Sequence, residues 1–128
     1  KKENRMKDFT KLYSINRNGS FKGVMKGEKH CAYGEDGVEL DFHYDCTVWA
    51  NGVDEKGFVI DNLDIKNIVE CEEVWLSCEE YAEDVAMKLL AKLKRDRMYD
   101  KIVKIDVTFG GTKLAYARFI LERNKSQF

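Results

Sequence analysis

The longest regular pattern in the sequence is an alternation of apolar and polar residues that begins at Val38 and ends at Ala50. Successive side chains of a β-strand point to opposite faces, so this pattern predicts a long strand with one buried and one solvated face. The apolar parity comprises Val38, Leu40, Phe42, Tyr44, Cys46, Val48 and Ala50. The other parity comprises Glu39, Asp41, His43, Asp45, Thr47 and Trp49. A chain with such a strand is expected to build a sheet that is covered on one side only.

Shorter patterns on either side predict the other strands. Phe9–Ile15 is predicted as a first strand that ends at a turn over Asn16–Gly19, because asparagine and glycine favour turns. Ser20–Met25 is predicted as a further short extended segment. Near the end of the chain, Val103–Phe109 alternates again, and after two glycines Lys113–Leu121 is predicted to be extended. These last two segments predict a terminal hairpin.

Two helices are predicted between the two groups of strands. Asp61 or Asn62 can cap a helix that runs to about Val69. Ser77 and Glu80 form a capping box, and an apolar stripe follows at helical spacing: Ala82, Val85, Ala86, Leu89, Leu90 and Leu93. This order of elements predicts the α+β class, with an antiparallel sheet and two helices packed on one face. Residues 1–128 are expected to form a single domain.

The charges are strongly segregated along the chain, although the net charge is only −1. Residues 1–30 carry nine basic and three acidic side chains, residues 31–84 carry two and sixteen, and residues 85–128 carry eleven and four. Complementary patches of this kind can orient subunits or partners. Nucleic-acid binding is disfavoured, because no net basic patch with interleaved aromatic residues is present.

Apolar runs and cysteine spacing indicate the compartment. No run approaches the roughly 18–20 residues of a membrane span, and no signal-peptide pattern is present, so membrane and secreted classes are disfavoured. The four cysteines include no CxxC pair, which favours reduced thiols over a disulfide framework or a zinc site: Cys31, Cys46, Cys71 and Cys78. The expected localisation is cytoplasmic.

Several segments together resemble a known family. They are Tyr44–Gly52 (YDCTVWANG), Gly57–Asp61 (GFVID) with Leu63 and Lys66 after it, Ser77-x-Glu79 at the head of a long helix, and the terminal hairpin. This arrangement, over roughly residues 38–121, resembles the 6-pyruvoyl-tetrahydropterin synthase and 6-carboxytetrahydropterin synthase family, which has the tunnelling fold. The resemblance implies subunits whose sheets join into a barrel around a tunnel. It also implies a planar pterin or purine-like ligand where subunits meet, and, in active members, a catalytic zinc held by three histidines.

The sequence departs from the resembled family at its functional positions. When the long strand is aligned on its tyrosine, Leu40 and Phe42 occupy the places of two zinc-binding histidines. Asp36 stands where the family has its nucleophilic cysteine, and Gly110 lies near the place of the glutamate that holds the heterocycle. Residues 70–76 contain no histidine for the family's Asp-His pair. Leucine and phenylalanine offer no N, S or O donor to zinc, so the alignment predicts that the metal site and its chemistry are lost.

The remaining histidines give weak support for a metal site. His30, Cys31 and His43 could in principle contribute ligands, but a catalytic zinc needs about three protein ligands. His43 lies between Asp41 and Asp45 on the polar parity, which favours an exposed imidazole paired with carboxylates. No metal ligand, cofactor or catalytic residue is therefore assigned.

Four further features have a functional and a structural interpretation each. Cys71 and Cys78 flank acidic residues that disfavour a reactive thiolate, and Cys46 is predicted as a core residue. Gly110-Gly111-Thr112 is interpreted as a hairpin turn rather than a phosphate loop. Trp49 either marks a subunit interface or is an ordinary partly exposed side chain. The acidic residues from position 70 to position 84 either attract a basic partner or satisfy the dipole of the following helix.

The sequence thus predicts a diverged, tunnelling-fold-like protein that is non-catalytic and binds a small planar ligand or a protein partner at subunit interfaces. The first alternative is a zinc-dependent lyase of pterin or 7-deazapurine biosynthesis with shifted ligands. The second is a small acidic inhibitor or adaptor protein. A homo-oligomer is expected, because an open sheet has edges that invite pairing between subunits.

Overall fold

The fold is described from a computed structural model, which describes residues 8–26 and 37–124. These residues form five strands, two α-helices and one short 3-10 helix. The elements are β1 (Tyr13–Met25), β2 (Val38–Ala50), α1 (Asn62–Val69), β3 (Glu73–Val74), α2 (Cys78–Arg95), the 3-10 helix (Tyr99–Lys101), β4 (Ile102–Gly111) and β5 (Ala117–Glu122).

The strands form one sheet in the order β3-β1-β2-β4-β5. All neighbours are antiparallel except β1 and β3, which pair in parallel over two residues. Gly19 of β1 lies opposite Tyr44 of β2, which in turn lies opposite Phe109 of β4. The predicted α+β class is confirmed, and the sheet is mixed only through the two-residue strand β3.

One face of the sheet, here called the inner face, is packed against both helices. The predicted apolar parity of β2 lies on this face, and Phe42, Cys46 and Val48 are fully buried. From the helices, Ile65 and Val69 of α1 and the stripe of α2 join the same core cluster. Polar residues of β2 such as Asp45 lie on the opposite, outer face, so the alternation separates core from solvent as predicted.

The first strand is where the sequence prediction was wrong. In place of a strand that ends at a turn over Asn16–Gly19, a single 13-residue strand runs from Tyr13 to Met25 and pairs with β2 along its whole length. Gly19 serves a close approach rather than a turn, because a Cβ on it would lie 3.0 Å from the Tyr44 hydroxyl. The long ladder to β2 therefore overrides the local turn preference of the asparagines and the glycine.

Both helices begin where the sequence predicts. Asp61 caps α1 by accepting a hydrogen bond of 2.8 Å from the backbone N–H of Leu63. Ser77 caps α2 by accepting one of 3.2 Å from the N–H of Glu80. The C-terminal hairpin is also confirmed, but its second strand begins at Ala117 rather than at Lys113, because residues 112–116 form the turn between β4 and β5. No helix in the described part of the chain combines the length and apolar character needed to cross a membrane.

Candidate functional site

A charged side chain lies on the otherwise apolar inner face of β1. Because β1 is continuous, Arg17 has the same parity as Ile15 and Phe21, and its guanidinium extends toward α1. Arg17 Nε donates a hydrogen bond of 2.9 Å to the Tyr44 hydroxyl, and Nη1 donates one of 2.9 Å to Oδ1 of Asn62. Arg17 thus connects the first strand, the second strand and the start of α1.

Glu70, immediately after α1, completes this cluster. The Tyr44 hydroxyl donates a hydrogen bond of 2.7 Å to Glu70 Oε2, and Arg17 Nη2 lies 4.0 Å from the same oxygen. The side chains of Arg17 and Glu70 are 21% and 24% exposed, so both reach solvent while Tyr44 is buried. We call Arg17, Tyr44, Asn62 and Glu70 the polar cluster.

The polar cluster raises the pKa of both Tyr44 and Arg17. Burial raises the pKa of the Tyr44 phenol, and the hydrogen bond to Glu70 raises it further. The hydrogen bond to Tyr44 raises the pKa of Arg17, with a smaller contribution from the negative charge of Glu70. The phenol therefore stays neutral and the guanidinium stays charged at physiological pH. The single phenol proton of Tyr44 is donated to Glu70, so the charged groups of the cluster that reach solvent are Arg17 and Glu70.

The two positions that align with zinc ligands lie in an aromatic cluster. Phe42 is fully buried and stacks on Phe109, with 5.3 Å between ring centroids and 19° between planes. Phe21 lies 5.3 Å from Phe42, and Tyr81 of α2 lies 4.3 Å from Phe109. Leu40 is 8% exposed and belongs to the same core. Rings and aliphatic carbons thus surround the place where metal donors would be needed.

The position that aligns with the ligand-binding glutamate is closed as well. Gly110 is buried, and a Cβ on it would lie 2.5 Å from the Tyr116 ring. Tyr116 folds back over this glycine on the outer face and also lies 6.4 Å from the His43 ring. A side chain at position 110 would require Tyr116 to move.

Comparison with known proteins gives matches in structure only. The sequence matches no family model and no curated protein sequence. The 6-pyruvoyltetrahydropterin synthases of Plasmodium vivax and Plasmodium falciparum each superpose with a TM-score of 0.59 at 12% identity, over 88% of this chain and 99% of theirs. The QueF-like archaeosine synthase, in its apo form, superposes with a TM-score of 0.53 at 14% identity, over 87% of this chain and 91% of its own. The chain has the tunnelling fold. At these identities the likeness establishes the fold alone.

Zinc does not fit the residues that this tunnelling-fold chain places at the expected site. Leu40 and Phe42 supply no donor atom, and both side chains are buried among carbon atoms. Within residues 8–26 and 37–124, no three His, Cys, Asp or Glu side chains are grouped so that they could hold a metal ion. His30, Cys31 and Asp36 lie outside the described residues.

The cysteines that the structure describes are buried or bonded rather than poised for chemistry. Burial raises the pKa of Cys46 to about 12, in agreement with its predicted core position. Burial also raises the pKa of Cys78, and the charge of Glu79 adds to this effect. Cys71 Sγ lies 3.1 Å from the Tyr81 hydroxyl, which donates to the carbonyl oxygen of Val69. The environments of Cys46 and Cys78 therefore disfavour a thiolate nucleophile.

The other predicted features lie apart from the polar cluster. The turn predicted at Gly110-Gly111-Thr112 lies further along, because Gly110 and Gly111 still pair with β2 as part of β4 and only Thr112 belongs to the turn over residues 112–116. Trp49 is half-buried on the outer face, whereas Trp75 is 55% exposed beside β3. Sequence reasoning missed Arg17, Asn62 and Glu70 as a group. The signal that could have found this group is a charged residue, Arg17, on the apolar parity of a strand. Because a turn was predicted over Asn16–Gly19, Arg17 was not assigned to a strand at all.

Proposed function

We propose that this chain is a non-catalytic tunnelling-fold protein that binds a small planar ligand where its subunits meet. The observation that supports this most directly is the aromatic cluster around Leu40 and Phe42. A zinc-dependent lyase needs nitrogen, sulfur or oxygen donors at that place. With buried hydrocarbon in place of these donors, the chain cannot hold a zinc ion that would polarise a substrate. The sheet itself stays well packed.

The polar cluster is the part of the chain best suited to bind such a ligand. Glu70 contacts Tyr44 and Arg17 through one carboxylate oxygen, Oε2. We expect Oε1 to accept hydrogen bonds from the N–H groups of a heterocycle and the Arg17 guanidinium to stack on its plane. Phe21, half-buried beside Tyr44 with ring centroids 6.2 Å apart, would add apolar contact.

The open edge of β1 supports a second subunit at this position. Among the described residues, β1 pairs with β3 only through Val24 and Met25, which leaves the other side of Tyr13–Gly23 without a partner strand. Unpaired backbone groups along an edge favour pairing with another chain. A neighbouring subunit on this edge would lie next to Arg17 and would close the polar cluster from outside.

Binding and turnover measurements test the proposal together. Isothermal titration calorimetry with neopterin and with a 7-deazaguanine should detect binding of at least one of them, weakened about ten-fold or more by Glu70→Gln, which removes a charged hydrogen-bond acceptor. Glu72→Gln, an exposed neighbour, should leave the affinity unchanged. Dihydroneopterin triphosphate with added zinc should yield no product. Turnover, or stoichiometric zinc in protein purified without chelator, would overturn the proposal.

A further inference from the structure

A groove lies on the part of α2 that is turned away from the sheet. Four residues at positions i, i+3, i+4 and i+7 of one helix face line it: Glu80, Glu83, Asp84 and Met87. Leu76, just before the helix, completes the lining, and the volume is about 290 Å³. The polar cluster shares none of these residues, so the groove is a separate feature.

The groove is lined by two apolar and three acidic side chains. Met87 is 48% exposed, and Leu76 beside it packs partly against the core. Three carboxylates stand on the same face, and Asp84 pairs with Lys88 at 2.8 Å. Around the groove, the segment from Glu70 to Asp84 holds seven acidic side chains and no basic one. Such a surface repels nucleic acid and anionic membranes.

The helix dipole explains why some of these acidic residues are favourable, but not all of them. Glu79 and Glu80 lie in the first turn of α2, where a negative charge is favourable. Glu83 and Asp84 lie one turn further, beyond the range of that effect. The dipole also gives no reason for exposed apolar groups beside the acids, since Trp75 is 55% exposed next to Leu76.

We propose that this groove is a docking site for a basic segment of a partner protein. An arginine side chain combines an apolar stem with a charged planar head. Its stem would pack on Leu76 and Met87, and its guanidinium would lie between the carboxylates of Glu83 and Asp84, where bidentate hydrogen bonds are available. Charge complementarity with the acidic segment from Glu70 to Asp84 would speed the encounter and select basic partners.

A labelled peptide pair tests the proposal on the full chain. One peptide is an amphipathic helix with arginines and leucines at helical spacing, and the other replaces every arginine by citrulline, which keeps the shape and removes the charge. Fluorescence anisotropy should show binding of the arginine peptide alone, and amide chemical shifts should change around residues 76–87. Equal binding of both peptides, or shifts confined to other surfaces, would refute a groove for basic segments.

Matched variants separate the groove from general attraction. Glu83→Gln with Asp84→Asn should weaken the arginine peptide by at least about ten-fold, as expected for loss of close charge pairs. Glu55→Gln with Asp100→Asn removes the same net charge at exposed sites elsewhere and should change the affinity far less. Met87→Ser should weaken binding without changing charge. Equal losses in both double variants, or a changed oligomeric mass in the groove variant, would instead indicate non-specific attraction or a contact between copies.

Discussion

At the scale of single residues, Gly111 decides how closely β4 approaches β2. A Cβ on this residue would lie 2.5 Å from the carbonyl oxygen of Asp41, a backbone atom that also accepts a hydrogen bond of 3.0 Å from Thr112. Backbone cannot move aside as a side-chain tip can. Because Gly111 has no side chain, the end of the hairpin can pack closely against β2.

Gly111→Ala should consequently destabilise the protein by about 1–3 kcal/mol, the usual cost of overpacking. Gly52→Ala is the matched control, because its Cβ would meet only the flexible Lys101 methylenes, the nearest at 3.2 Å. Urea unfolding followed by circular dichroism gives both free energies of unfolding. Equal free energies of unfolding for the two variants would show that β4 can move away from β2 without loss of stability.

The burial of a residue could be predicted where all residues of one strand parity are apolar and those of the other are mostly polar. Phe42 and Cys46 could be assigned to the core from the alternation alone, and both are fully buried. Arg17 could not, because Asn16, Asn18 and Gly19 around it favour a turn. Its role depends on Tyr44 and Glu70, which are 27 and 53 positions further along the chain and meet it only in the folded sheet.

At the scale of elements, the residues next to a helix predict where it begins. The pairing of strands that are far apart in the sequence cannot be predicted from such local residues. The N-termini of both helices follow from cap residues next to them, Asp61 and Ser77. Strand β3 has only two residues and exists because Glu72 and Val74 accept hydrogen bonds of 2.9 Å from Val24 of β1 and from Lys26, which follows β1. No local pattern predicts a pairing made across nearly fifty residues.

The β4–β5 hairpin contains an ion pair that gives it a defined pH dependence. Arg118 of β5 donates to both carboxylate oxygens of Asp106 on β4, with a distance of 2.9 Å from Nε to Oδ1. This lowers the pKa of Asp106 below its ordinary value. A lowered pKa in the folded state means that the ion pair stabilises the fold above the ordinary pKa of about 3.9 and that this stability is lost as the pH falls through the folded pKa.

Asp106→Asn should therefore lower the free energy of unfolding by up to about 1 kcal/mol near pH 7, as is typical of exposed cross-strand pairs. The difference from the unmodified protein should shrink steadily below about pH 4. Asp100→Asn, on the exposed 3-10 helix, serves as the control with the same change of charge. Denaturant titrations across that pH range measure the effect, and a difference that stays constant with pH would contradict the assigned role of the pair.

At the scale of the whole molecule, the sheet has two open edges among the described residues: β1 before its short pairing with β3, and β5. On β1, the amides of Val24 and Lys26 point away from β2, toward residues 72 and 74. Alternation along the strand then directs the amide of Asn18 outward too. On the far side, β5 pairs with β4 alone among the described strands. One edge of each kind per chain allows subunits to join head to tail and close into a ring.

The substitution Asn18→Pro tests this assembly by removing a single backbone N–H. Proline removes an outward N–H that any strand added to β1 would need, while the odd-numbered amides toward β2 stay in place. The unmodified chain should sediment as a multiple of 14.9 kDa at micromolar concentration, and the variant should shift toward the single-chain mass with its circular dichroism spectrum retained. Asn18→Ser keeps the N–H and should assemble normally. If the unmodified protein is already a single chain, or if the proline variant keeps the full mass, then subunits do not meet along β1, and the polar cluster beside that edge must bind its ligand within one subunit.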